Sequence, residues 1–482
     1  MQNPSALVTL LIYSGVLFSI GLWAARRTKS QEDFLLGGRN LGPWVAGLAY
    51  AASSSSAWVL LGFSGFVYAA GPSALWMVPG IIAGYAAVWL WAGPLLQSAS
   101  REGQQLTLTD FLTQYASARS ARIIRIVASI LIAICFSFYV AGQFQGAGIA
   151  INDLFATGFA PGVLIGALII LAYVFLGGFM AVSITDTIQG LLMAFVAVLL
   201  PLLAFIEAGG ISGIQNAMAS AGEAYGAPFG ARAGFAALGF VLGLTATGFG
   251  ALGQPHLVAW IMATKDRSAR VKGALVAMGW ASLVFAGMAV LGLSARAILG
   301  GDAAAEGVFF TLADDLLPGI LAGVVAAATL SAIMSTVDSQ LLVAGGAVSH
   351  DLGLGRAFGN REVLTSRLAI IGVCIAAILL TFLAPSSIFQ RILFAWVALG
   401  AAFGPVVAAR TLGFKPDGAC VLAAMISGFG LAVAYELAWI GSGPGAMWKT
   451  IAPWIGAGIA MALVGLVRKS RLSGELGLGE VD

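Results

Sequence analysis

From residue 6 to residue 467 the chain returns about thirteen times to an apolar run near the ~20 residues that a helix needs to cross a bilayer. No spacer between runs exceeds roughly 25 residues, too little for a separate soluble domain. Lipid offers a backbone no hydrogen-bond partners, so a chain of this pattern must fold as packed membrane helices. Charged residues supply only 9% of the sequence, against about a quarter in a soluble domain. The expected fold is a single all-α integral membrane domain, in contact with lipid throughout.

Charge placement gives that bundle a direction. Of the 24 Lys and Arg, 20 fall in alternate spacers. These spacers include Arg26 to Arg39, Arg101 to Arg125, Lys265 to Lys272, Arg356 to Arg367, Arg410 with Lys415, and Arg468 to Arg471. Only Arg232, Arg296, Arg391 and Lys449 fall on the opposite side. The positive-inside rule then places the N-terminus outside and the C-terminus in the cytoplasm. An odd number of spans requires the same arrangement. The opening "MQNPSALVTLL" has no basic segment ahead of its apolar run, so it reads as a first helix and not as a signal peptide.

Cys135, Cys374 and Cys420 are scattered through apolar helices, which excludes a disulfide framework and a CxxC metal pattern. With only His256 and His350 besides, no transition-metal or haem site is expected. Nothing in the charge pattern suggests a nucleic-acid partner, and no obligate protein partner is expected.

Two spans are longer than crossing requires and are polar or glycine-rich at their midpoints. One contains "AYAASSSSAW" at 49–58; the other, 231–262, is centred on "TATGFGALGQP". Such runs free backbone groups from the helical ladder, and those groups survive in a membrane only where they line a cavity or hold a ligand. Paired interruptions at matching places in two halves point to a secondary transporter built from inverted repeats, with its site near the midplane. Counting agrees. A leading segment at 1–41 precedes a five-helix repeat at 42–207, a second at 231–410, two further helices at 418–467 and a tail at 468–482. Five is odd, so the second repeat enters from the opposite side. Packing of small residues between helices is the alternative explanation of both interruptions.

"GFGALG" at 248–253 matches a dinucleotide fingerprint formally, but no strand precedes it. "GQFQG" at 142–146 fits close helix packing, and no nucleotide-hydrolysis loop is present. The ninth span, "AAATLSAIMSTVDSQLLVAGG", places Ala332, Ser335, Thr336 and Ser339 on one helical face. Hydroxyls there, opposite the carbonyls of an unwound helix, suit a hard monovalent cation. Bonding back to their own helix is the competing explanation. Asp186 and Asp338 lie within apolar spans, where a carboxylate is costly enough to imply a function, either cation or proton binding. Asp153, Asp302, Glu306, Asp314 and Asp315 read as solvated outer-loop charges.

The segments "DFLLGGRNLGPWV", "VSITDTIQ", "GQPHLVAWIMA", "LSAIMSTVDSQLL" and "AWVALGAAFGPVV" resemble the sodium:solute symporter family, in particular its bacterial sodium/proline branch. The resemblance runs from about residue 6 to 467 and implies a LeuT-like core of two inverted five-helix repeats. It implies a sodium site formed by the carbonyls of Ala52, Ser55 and Ala332 with the hydroxyls of Ser335 and Thr336. Asp186, Asp338 and Ser339 would surround a second cation or proton site. Ser54, Ser56, Trp58, Tyr139, Gln143, Thr247 and Ala251 would contact substrate.

Three departures bear on the chemistry. The proline branch has an aspartate where Ser54 stands here, while Asp338 adds a carboxylate to the ninth span. Where that branch has Trp and Tyr in the seventh span, this chain has Thr247 and Ala251, which predicts a wider and more polar cavity. The expected function is Na⁺-coupled import of proline or a related amino acid. The alternative is Na⁺- or H⁺-coupled import of another small metabolite such as a carboxylate, with a non-transporting membrane sensor a distant third. An enzyme would need a nucleophile with its base or a metal cluster, which the sparse His and Cys do not supply.

Overall fold

The computed structural model describes residues 4–25, 31–359, 361–383, 387–437 and 446–475. Its principal helices are α1 (Pro4–Ala25), α2 (Pro43–Ser54), α3 (Ser64–Ala70), α4 (Met77–Ala86), α5 (Leu108–Thr113), α6 (Ala118–Phe155), α7 (Phe159–Glu207), α8 (Gly234–Ala246), α9 (Pro255–Met262), α10 (Arg267–Leu299), α11 (Gly319–Gly346), α12 (Glu362–Leu383), α13 (Ile388–Thr411), α14 (Gly418–Glu436) and α15 (Ala452–Glu475). Among the described residues strand-like pairing is confined to one bridge, between Leu41 and Thr264.

Among the described residues, ten helices are long and apolar enough to cross a membrane, with shorter apolar helices at Leu11–Trp23 and Phe159–Leu171. α7 is kinked near its middle. Gly178 has φ 66° and ψ 179°, a conformation open to glycine because it has no Cβ, and it bends α7 there. Both polar interruptions are breaks. α2 stops at Ser54 and the chain resumes through a wide turn at Trp58–Phe63 into α3. α8 gives way to a tight turn at Thr247–Gly253 before α9.

The two broken helices are tied at one end. The Leu41 N–H donates to the Ala263 carbonyl at 3.1 Å and the Lys265 N–H to the Leu41 carbonyl at 3.0 Å. Arg101 donates to the carbonyls of Arg39 and Thr264, at 2.6 and 3.0 Å, so one guanidinium serves both chain ends. α11 is central, with 83% of its most apolar window buried, whereas the corresponding share for α15 is 11%. A polar face on α11 therefore meets protein, not lipid.

Glu306 departs from expectation. Its carboxylate accepts from the backbone N–H groups of Ile388 and Phe389 at 3.2 and 3.1 Å, capping α13 where donors are otherwise unsatisfied.

Candidate functional site

Serine competes with the helical ladder through its own hydroxyl, and four in succession end α2 inside the bundle. All four are buried. The backbone they release faces the hydroxyl stripe of α11. Ser335 Oγ donates to the Ala52 carbonyl at 3.2 Å and Thr336 Oγ1 to the Ser53 carbonyl at 2.8 Å. Both also lie 3.3 Å from the Ala332 carbonyl, so the back-bonding alternative is shared with the cross-helix contact. Ser339 and Ser53 join through their hydroxyls at 2.6 Å. Ala52, Ala332, Ser335 and Thr336 are thus brought together, with Ser53 beside them. Ser55 adjoins them, its N–H on the Ala52 carbonyl at 3.1 Å and its own backbone already out of helical conformation.

A second cluster holds the other side of the break. Gln143 accepts the Ala57 N–H at 3.1 Å and donates to Ser56 Oγ at 3.0 Å, while Tyr139 lies 3.5 Å from the same hydroxyl. The Trp58 indole spans the gap and donates to the Ser54 carbonyl at 3.2 Å. Ser54 is drawn elsewhere: its hydroxyl bonds Tyr85 and the Ala51 carbonyl.

Between the two breaks lies a small cavity lined by Trp58, Met77, Ile81, Thr247, Phe389, Ile392, Leu393 and Trp396. Its wall is apolar, which corrects the more polar cavity expected from Thr247 and Ala251. Phe389 and Trp396 of α13 supply aromatic surface, and the Trp396 indole donates to the Thr247 carbonyl at 2.7 Å. Ala251 is buried on the α8–α9 turn but does not line this cavity.

Asp186 and Asp338 are both fully buried and lie near one another, close to Tyr13 of α1. The Asp186 carboxylate faces that of Asp338. Asp338 accepts the Ser339 N–H at 2.6 Å. Tyr13 bonds Ser331, joining the leading helix to the same stripe of α11.

One polar cluster lies apart from these. Asp110 of α5 receives His350 Nε2 at 3.0 Å and Arg125 at 3.4 Å, and Thr107 donates to Asp351 at 2.9 Å. Asp110, His350 and Asp351 offer ligand-type atoms within 4.8 Å of one another, a grouping that sparse histidine did not suggest. Burial alone would raise the Asp110 carboxyl, but the hydrogen bonds from His350 and the Leu106 N–H, with the Arg125 charge, hold it below its usual range.

Sequence reading missed Tyr85, Phe389, Trp396 and Tyr13. Tyr85 and Trp396 carried a usable signal, since a buried Tyr or Trp seeks a partner for its polar atom.

Paired broken helices around a buried site, with a hydroxyl face against freed carbonyls, are the architecture of a multi-pass carrier of small solutes. The sodium:solute symporter profile matches residues 34–428. The chain is 32% identical to the high-affinity proline transporter PutP of Bacillus subtilis, covering 80% of this chain and 83% of that one. It is 31% identical to the sodium/proline symporter of Escherichia coli, over 96% and 93% of the two chains. A solved Na⁺-coupled sialic acid symporter, substrate-bound and outward-open, superposes with a TM-score of 0.81 at 18% identity, over 97% and 98% of the chains. The chain belongs to the sodium:solute symporter family. It is a sodium-coupled membrane transporter of a small solute on a LeuT-like fold, and not an enzyme.

Proposed function

We propose that this transporter imports proline or a closely related amino acid with Na⁺ by alternating access. The observation that carries the reading is the meeting of Ser335 and Thr336 hydroxyls with the Ala52 and Ser53 carbonyls at the serine break. Na⁺ requires oxygen donors, and these are concentrated where α2 loses its ladder. On this reading Na⁺ sits among Ala52, Ser55, Ala332, Ser335 and Thr336 and holds α2 against α11. That contact orders Ser56 and Trp58, which with Tyr139, Gln143 and Thr247 receive the solute; Ser54 and Ala251 shape the pocket from behind. Rocking of the paired broken helices then opens the site inward.

One charge moved through 100 mV releases about 2.3 kcal/mol. With a tenfold Na⁺ gradient adding about 1.4 kcal/mol, one coupled ion supports a solute gradient of more than two decades.

Asp186, Asp338 and Ser339 form the second cation or proton site of this scheme, since two adjoining carboxyls in a membrane must share a proton or hold a cation. The scheme includes thirteen crossings, an outside N-terminus, a cytoplasmic C-terminus in the bacterial inner membrane, and repeats at 42–207 and 231–410. It requires lipid and solute but no protein partner. The replacement of seventh-span aromatics by Thr247 and Ala251 favours a second reading, a carboxylate metabolite other than an amino acid.

Proteoliposomes carrying the full chain test this. A Na⁺ gradient should drive uphill accumulation of labelled L-proline, and collapsing the gradient should abolish it. Equal uptake without Na⁺ would refute the coupling, and Na⁺-driven uptake of another solute in preference to proline would refute the substrate.

A further inference from the structure

His256 takes no part in the scheme above, yet it is the most conspicuous unspent polar group near the two breaks. Its side chain is 1% exposed, and among the described residues neither ring nitrogen has a hydrogen-bond partner. A buried polar group in that condition is costly and calls for an explanation. The ring meets Phe136 edge-on with centroids 5.4 Å apart and lies 6.5 Å from the Tyr139 ring. Tyr139 in turn reaches Ser56, 3.5 Å away, and Ser56 lies 3.4 Å from the N–H of Trp58 on the cavity wall. His256 also occupies the first turn of α9, directly after the broken segment. The N-terminal end of such a half-helix favours negative charge.

Resting on the proposed amino-acid transport, we propose that His256 is a substrate-binding residue whose ring N–H donates to the carboxylate of the solute. The division of labour is chemical. The cavity between the breaks offers apolar wall for the solute's body, with Thr247 its one polar member apart from the indoles. An anionic head needs donors, and a neutral imidazole always presents one. Tyr139, its ring 6.5 Å from that of His256, and Ser56 beyond it are further hydroxyls. A ring kept only for packing against Phe136 would do equally well without nitrogen, and that difference makes the inference testable.

The experiment uses the full chain in proteoliposomes under a fixed Na⁺ gradient. Wild type is screened against amino acids and small carboxylates, with amide and methyl-ester derivatives of each transported solute as competitors. His256→Phe keeps the ring and its edge contacts while removing both nitrogens; His256→Gln restores a donor. His256→Phe should raise KM for the carboxylate solute at least tenfold, with Vmax and the Na⁺ half-saturation within twofold of wild type. It should also lose most of the preference for the acid over its amide. His256→Gln should recover a large part of both. Unchanged KM and unchanged preference in His256→Phe overturn the inference. A fall in Vmax that only follows the amount of folded protein, with KM constant, overturns it as well. A transported carboxylate other than proline overturns the proline reading alone, and the His256 assignment is then judged on that solute. Absence of any transported carboxylate overturns both.

Discussion

The two broken helices solve one problem with different materials. At the serine break, backbone freed from the ladder is met by side-chain hydroxyls and an amide, Ser335 and Thr336 from α11 and Gln143 from α6, while Ser339 bonds the Ser53 hydroxyl. At the glycine break the neighbours are backbone and rings. A Cβ on Gly248 would collide with the Gly80 carbonyl, and one on Gly250 with the Trp396 indole. The first break is held by groups that a cation could exchange for itself. The second is held by close packing and by the Trp396 indole on the Thr247 carbonyl, neither of which a cation replaces. The difference suggests an ion-responsive hinge paired with a shape-limited one.

Filling the glycine break should have the largest effect. Gly248→Leu drives a side chain into the Gly80 backbone, which cannot retreat as a flexible side chain would. Overpacking of this kind costs about 1–3 kcal/mol or more. Thermal unfolding in detergent should show a clear loss of stability, and wild-type stability would contradict the packing account. Next comes the serine break. Thr336→Ala removes a hydroxyl from the Ser53 carbonyl. At about 1–3 kcal/mol for a buried polar group left unsatisfied, the Na⁺ half-saturation should rise roughly tenfold to a hundredfold. Fold stability without Na⁺ should change far less than in Gly248→Leu.

Asp338→Asn should alter the coupling itself, changing the dependence of uptake on Na⁺ concentration or on a pH gradient. Identical dependence on both would remove Asp338 from the coupling site. Trp396→Phe is smaller still. It loses one indole bond to the Thr247 carbonyl, worth about 1 kcal/mol, and should lower stability slightly with Na⁺ affinity unmoved.

The smallest effect lies outside both breaks. The Asp110 carboxyl is held below its usual value, so its contribution to stability is present at neutral pH and is lost as pH falls below 3.8 toward its folded-state value. Asp110→Asn should therefore be less stable than wild type at pH 7, and the gap should close in acid. A gap independent of pH would contradict the assignment.

Both breaks and the α11 hydroxyl face were legible in the sequence because they are local. Polar residues inside a crossing-length run and a 3.6-residue stripe need no knowledge of neighbours. What crosses the bundle was not legible. The cavity wall was expected to be polar because the reading considered Thr247 and Ala251 alone; Phe389 and Trp396 arrive from a helix more than a hundred residues later. Asp186 and Asp338 each stood out by cost, but only the family resemblance put them at one site, because their adjacency depends on how α7 meets α11. Glu306 looked like a solvated charge because the helix end it caps is far along the chain.

Hydrogen–deuterium exchange of the two breaks with and without Na⁺ tests the central contrast most directly. The account predicts that Na⁺ raises protection across residues 52–59 in wild type and not in Thr336→Ala, while residues 247–254 respond much less. Equal responses at both breaks, or Na⁺ protection that survives in Thr336→Ala, would contradict it.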